Sequence, residues 1–149
     1  MGGHSEAGRI GLRYLTSAYR VRKGVDEGMV ASGLSLARAK VLEVLERRGP
    51  LRQGELADEL GLAARSVTQA VEGLARDGFL DRLPDSADGR VKVVRLTTRG
   101  SAALTAAWAA GQHAFEEIFG ALGPQRLAEL DELLGAVETA VASQVRRRS

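Results

Sequence analysis

Arg65, Ser66, Thr68 and Gln69 fall together at the start of the run ARSVTQAVEGLAR. These side-chain types read base edges. Arg pairs with guanine through two bonds, Gln pairs with adenine in the same way, and Ser or Thr meets several bases or a phosphate. Further on, PDSADGRVKVVRLTTRG sets an aspartate and an arginine two apart, Asp88 and Arg90, in a polar stretch between two strand-like runs. More cations follow at Lys92, Arg95 and Arg99. A hairpin that only completes a sheet does not need an arginine at its tip. The minor groove of DNA is narrow and strongly negative, and it attracts an inserted guanidinium. Asp88 is spaced to hold Arg90 in place. The plainer alternatives are a solvated helix face and a surface ion pair of small net worth.

The elements that would position these residues follow from spacing. Ile10, Tyr14, Ala18, Val21 and Val25 recur every three or four residues, which predicts a helix from about Glu6 to Val30. Arg9, Arg13, Arg20, Arg22 and Lys23 lie mostly off that stripe. A long helix with a stripe and no neighbouring partner in sequence packs against another subunit or a distant helix. Ser35 is a fair N-cap for a second helix whose inner face is Leu36, Val41, Leu42 and Leu45, ended by Gly49 and Pro50. A helix from about Gln53 to Leu60, a turn at Gly61-Leu62-Ala63, and a helix from about Ala64 to Asp77 come next. In the last of these, Val67, Val71 and Leu74 fall at i, i+4 and i+7. Two short helices around a glycine turn are a helix-turn-helix pattern, and the hairpin follows at once from Phe79. Helix-turn-helix then hairpin is a winged helix, with the recognition helix in the major groove and its N-terminal residues on the bases. Thr97 or Thr98 caps a helix to about Phe119. Gly120 to Pro124 breaks it, and a final helix runs from Gln125 to about Val145, with a basic end at Arg146 to Arg148.

Composition narrows the classes. Hydrophobic residues make up 44 % of 149, but aromatics only 4 %, so the core must be aliphatic. The isoelectric point is about 9.4, yet the formal net charge is only +2. Any nucleic-acid site must therefore come from local clustering. Residues 82–99 carry 5 Lys and Arg against 2 Asp and Glu, whereas residues 101–149 carry 4 against 6. There is no cysteine, which excludes disulfides, thiol sensing and Cys-based zinc sites. No apolar run has the roughly 20 residues of a membrane span, and MGGHSEAGRI lacks an apolar signal-peptide core. The expectation is a soluble cytoplasmic protein.

The stretch from Leu34 to Gly100 resembles the MarR family of bacterial transcription regulators. The residues that carry the likeness are LSLARAKVLEVL, GPLRQGELADELGLAARSVTQAVEGLARDGFLDR and DGRVKVVRLTTRG. The last has the family's wing pattern, Asp-x-Arg, then an alternating strand ending in Leu-Thr, then a glycine. The resemblance implies a mainly α fold with a small β-hairpin wing. A winged helix-turn-helix at 34–100 would sit between dimerisation helices at 1–33 and 101–149. It also implies an obligate homodimer on a palindromic, inverted-repeat operator, released by a small aromatic or phenolic ligand. Arg65, Ser66, Thr68 and Gln69 then meet the major groove, Arg90 enters the minor groove, and Asp88 supports it. Lys92 adds to the wing's charge. Two positions depart from the family. Arg52 stands where a Thr or Ser cap is common, and could instead meet a phosphate. Gly73 stands where a cation is common.

Other constellations are weaker. His4 and His113 are far apart in sequence, and His113 reads as a polar helix residue rather than a metal ligand. No Ser-His-Asp set, phosphate loop or catalytic carboxylate pair stands out, and no enzyme or cofactor is expected. Tyr14, Tyr19, Trp108 and His113 could line a pocket for a small organic ligand, although core or interface packing explains them as well. Two other classes stay open. One is a winged helix that binds protein, favoured by Glu72 and Gly73 on the polar face. The other is a ligand-binding dimer with no DNA role, which leaves the wing arginine unexplained.

Overall fold

A computed structural model of the chain describes residues 5–148, so His4 lies outside it. Two compact units meet in sequence between His113 and Ala114.

In the first unit, α1 spans Glu6–Val30 and Ser5 caps it, its hydroxyl oxygen accepting from the Gly8 N–H at 3.1 Å. Only Val25 and Met29 of this helix are buried. Most of the expected stripe faces solvent: Ile10, Tyr14 and Ala18 are exposed, Val21 is half-buried and Val25 is buried. Helix α2 spans Leu36–Arg48 and buries Ala39, Val41, Leu42, Val44 and Leu45. Its N-terminus is held twice: Ser35 Oγ accepts from the Arg38 N–H, and Asp26 Oδ1 accepts from the Leu36 N–H at 2.8 Å.

After Gly49 the chain makes β1, Leu51–Arg52, then α3, Gln53–Leu60. Gly61 follows at φ 62°, in the left-handed region where a Cβ is penalised. That lets the chain reverse into α4, Ala64–Arg76. Val67, Val71 and Leu74 are fully buried under α4, and each side chain contributes about 1.5–3 kcal/mol by leaving water. Strands β2, Leu80–Pro84, and β3, Lys92–Leu96, form the antiparallel wing. The sheet has three strands in the order β1-β3-β2. Strand β1 is not legible in sequence, because two residues between a proline and a helix show no alternation. It pairs Leu51 with Val94 and Arg52 with Val93.

Helix α5 spans Thr98–Phe119. Thr97 is its cap: Thr97 Oγ1 accepts from the Gly100 N–H at 3.0 Å and donates to the Gly78 carbonyl at 2.7 Å. One hydroxyl thus ties the end of α4, the wing and α5 together. Gly100 has no room for a side chain, since a Cβ there would stand 1.9 Å from the Phe79 carbonyl oxygen. Leu104 and Ala107 are buried, and Gly111 lies against Met29 of α1.

The second unit begins within α5 at Ala114. It continues through a 3-10 turn at Gly120–Leu122 and α6 at Gly123–Arg148. Pro124 sits in the first turn of α6, where its missing N–H costs nothing. The helix runs through Arg146, Arg147 and Arg148, past the expected end at Val145. No residue of α6 is buried, and Leu133, Val137, Val141 and Val145 are exposed along it.

Candidate nucleic-acid interface

Helix α4 presents two faces. Val67, Val71 and Leu74 bind it to the core, while Arg65, Ser66 and Gln69 are exposed in its first two turns. None of these three side chains makes a hydrogen bond or ion pair within the described residues. Thr68 differs. It is half-buried, its hydroxyl donates to the Ala64 carbonyl at 3.0 Å, and it accepts from Gln53 Nε2 at 2.7 Å. Thr68 is therefore a strut between α3 and α4 rather than a free donor. Ala63 precedes α4 and offers no side-chain cap. The leading N–H groups of the helix are left at its electropositive end, the arrangement that suits a phosphate.

The wing tip is a closed turn. The Asp85 N–H donates to the Val91 carbonyl at 2.9 Å, and the Val91 N–H donates to the Asp88 carbonyl at 3.0 Å. Asp88 grips Arg90 by backbone and side chain together: Oδ1 accepts from the Arg90 N–H at 3.1 Å and from Nε at 3.2 Å. The Arg90 side chain is nonetheless 92 % exposed. It is aimed, not covered. The guanidinium and backbone N–H of Arg90 hold the Asp88 carboxyl below its ordinary range, and the charge of Arg52 adds to this. Lys92, opposite Pro84 in the register, is exposed and its side chain makes no bond within the described residues.

Arg52 is engaged. Its guanidinium pairs with Asp85 at 2.8 Å, and its backbone N–H donates to Glu55 Oε2 at 2.8 Å. Glu55 thus does the capping that a Thr or Ser at position 52 would otherwise share. Arg52 keeps a half-exposed side chain. Gly73 has open space where a side chain would stand.

Several partners were not legible as such in the sequence. Gln53 meets Thr68, and Arg82 on β2 reaches Glu72 on α4 at 3.9 Å. Arg95 pairs with Asp81 across the wing at 3.0 Å. Arg38 pairs with Asp77, and Phe79 lies between Arg38 and Arg99, whose guanidinium carbons are 5.8 and 5.5 Å from the ring centre. The hydrogen bond from Arg38 lowers the Asp77 pKa, helped by the charges of Arg38, Arg76 and Arg99. Most of these pairs join residues distant in sequence, so spacing carries no signal for them. Arg95 and Asp81 are the exception, readable once the hairpin register is set.

The residues expected around a ligand are spread over α1 and α5. A cavity of about 320 Å³ opens between α1 and the start of α2, lined among others by Tyr19, Arg22, Lys23 and Asp26. Of the expected four, Tyr19 alone is on its wall. Tyr14 is exposed on α1 and Trp108 half-buried on α5. His113 is exposed on α5 and has interactions of its own. Arg22 and Lys23 were readable as neighbours of Tyr19, being three and four residues on along one helix face. Among the described residues no group of three or more His, Asp or Glu could hold a metal, and no helix is long and apolar enough to cross a membrane.

Comparison with known proteins bears on this geometry. Residues 32–91 match the model of the MarR family. The chain is 30 % identical over 102 residues to the uncharacterized HTH-type transcriptional regulator YkoM of Bacillus subtilis, covering 68 % of this chain and 66 % of that one. It is 26 % identical over 129 residues to the HTH-type transcriptional repressor IacR of Pseudomonas putida, covering 87 % and 73 %. The chain thus spans about two thirds to three quarters of the length of these relatives. A solved structure of a mutant MarR from E. coli complexed with operator DNA has the same fold. Its TM-score is 0.75 at 24 % identity, covering 92 % of this chain and 99 % of that one.

Proposed function

The chain belongs to the MarR family, and from that premise we propose that it is a DNA-binding transcriptional regulator, acting as a homodimeric repressor on an inverted-repeat operator. The observation that carries this reading is the pairing of two exposed cationic elements. Arg65, Ser66 and Gln69 stand free on α4, and Arg90 projects from the wing with Asp88 aiming it. A solvated helix face explains the first but not the second. The relative solved with operator DNA shares the fold, and two relatives are named repressors. Homodimerisation is supported by the apolar residues that α1 and α6 leave exposed, among them Ile10, Leu15, Leu133 and Val141. Two-fold symmetry would then place two recognition helices about 34 Å apart, one turn of DNA.

The test is a genomic DNA pull-down at about physiological salt, with sequencing of the bound fragments. Enrichment of an inverted repeat is the expected result. Diffuse, salt-sensitive capture with no shared sequence would sink the operator reading and favour a protein partner for the winged helix.

The cavity beside Tyr19 supports ligand control. Its aromatic wall and the two cations Arg22 and Lys23 suit a small aromatic anion. Titration with benzoate should release the enriched duplex from the parent chain and not from an Arg22→Ala, Lys23→Ala variant. Equal release from both would place the effect elsewhere.

A further inference from the structure

Six side chains close a ring of contacts where the wing joins the helix-turn-helix. Gln53, at the start of α3, donates to Thr68 on α4 at 2.7 Å. One turn further along α4, Glu72 meets Arg82 of β2 at 3.9 Å. Three residues on, just past the end of β2, Asp85 meets Arg52 at 2.8 Å, and Arg52 adjoins Gln53 in the chain. The circuit runs α3, α4, β2, β1 and back to α3.

The ring is not a simple device for stability. Gln53 Oε1, Arg82 Nε and Asp85 Oδ2 are buried without a hydrogen bond, Asp85 meeting Arg52 as an ion pair only, and burying unbonded polar atoms is destabilising. Arg82 shares a row of the sheet with fully buried Val94, so it stands on the face where an apolar residue would serve the core better. Both ion pairs of the ring are partly exposed, Glu72 at 51 % and Arg52 at 52 % of the side chain, so they add little to stability; what they can do is restrict how the three elements sit. The wing has a reason to need that geometry. A strand of five residues reaches roughly 16 Å. On such an arm a tilt of about 10° at the base moves the tip by about 3 Å, the length of a hydrogen bond.

We propose that this ring sets the angle between the wing and the recognition helix, so that Arg52, Gln53, Glu72, Arg82 and Asp85 are positioning residues for the Arg90 contact. The proposal rests on the DNA-binding reading for its purpose, but not for the geometry itself. Thr68 takes part in both.

The experiment uses Glu72→Gln with Asp85→Asn, which removes both ion pairs at nearly constant shape, in the full-length chain. Its first arm measures binding to duplexes that the parent enriches from a randomised library. Arg90→Ala should weaken the parent about tenfold or more, but weaken the double variant less than about threefold, because a wing that is no longer aimed has little to lose. The same factor in both backgrounds overturns the proposal. The second arm needs no DNA. The chain has no cysteine, so labels at Ala64→Cys and Gly89→Cys, diluted into unlabelled chain, report the distance from helix to wing tip. One narrow distance in the parent and a broad distribution in the double variant is expected; identical distributions overturn the ring as an angle lock. A parent that enriches no sequence overturns the DNA-binding reading and the purpose given to the ring, while the label distances still decide whether the ring holds the angle.

Discussion

On the proposed reading Arg65 and Arg90 would do different work at the scale of single residues, and their substitutions should differ in kind. Arg65 is free on the leading turn of α4, so Arg65→Ala should cost roughly 1–3 kcal/mol of binding and relax base choice at one position. If every sequence weakens equally, Arg65 touches phosphate instead; competition with single-base variants of the duplex separates the two. Arg90→Ala should weaken binding and leave the major-groove preferences unchanged. Thr68 is the residue most easily misread from sequence. Its type and position say base contact, while its hydroxyl is already bonded to Ala64 and Gln53. A pH effect belongs here as well. Asp77 has a lowered pKa in the folded chain, first through its bond from Arg38. A depressed carboxylate stabilises the fold above its unfolded value, and that contribution is lost as pH falls through about 4 toward the folded value. Asp77→Asn should therefore be less stable than the parent at about pH 6, with the gap narrowing by about pH 3. Urea denaturation at the two pH values checks this, and a constant gap would show that Asp77 is not the titrating group.

Elements are where sequence pattern and packing agree best. The buried stripe of α4, the glycine at the helix-turn-helix turn and the threonine cap of α5 each have a local cause, and each was readable. Strand β1 was not, because its two residues are strand only by virtue of Val93 and Val94 across from them. Gly100 shows the same limit from the other side. The sequence shows a glycine near a helix start, whereas the structure shows a Phe79 carbonyl that leaves no space for a Cβ. Gly100→Ala must push the wing and α5 apart, and should cost about 1–3 kcal/mol or more. A urea midpoint unchanged from the parent would mean that the α5 start shifts freely. Leu74→Ala, at a fully buried position, should cost about 2–5 kcal/mol by the same measurement.

For the whole molecule, net charge says little, since +2 over 149 residues is not a polycation. What counts is how many cations remain unpaired. Arg38, Arg52, Arg82 and Arg95 already face carboxylates, which leaves Arg65 and Lys92 unpaired; Arg90 is paired with Asp88 but 92 % exposed, so these three are the first candidates for DNA. The proposed homodimer would double that set. Affinity should then fall steeply between about 50 and about 200 mM salt, with a shallower slope for Lys92→Ala; an unchanged slope would remove Lys92 from the interface. Val137→Glu on the exposed apolar line of α6 should shift the chain toward monomer in sedimentation equilibrium. A dimer that is unmoved by this change would put the subunit contact on another surface.

Periodicity and capping are local, so the residues alone determined the helices, the turn, the wing and the aliphatic core. Residue type and spacing likewise marked Arg65, Ser66, Gln69, Asp88 and Arg90 as a set that could meet DNA. Tertiary structure decided which polar groups are free. Whether Thr68 is a donor or a strut, whether Arg52 is loose or held by Asp85, and whether Tyr19 or Tyr14 lines a cavity all depend on contacts between residues far apart in the chain. Such contacts leave no period in a sequence, because either partner could meet many others until the fold selects one.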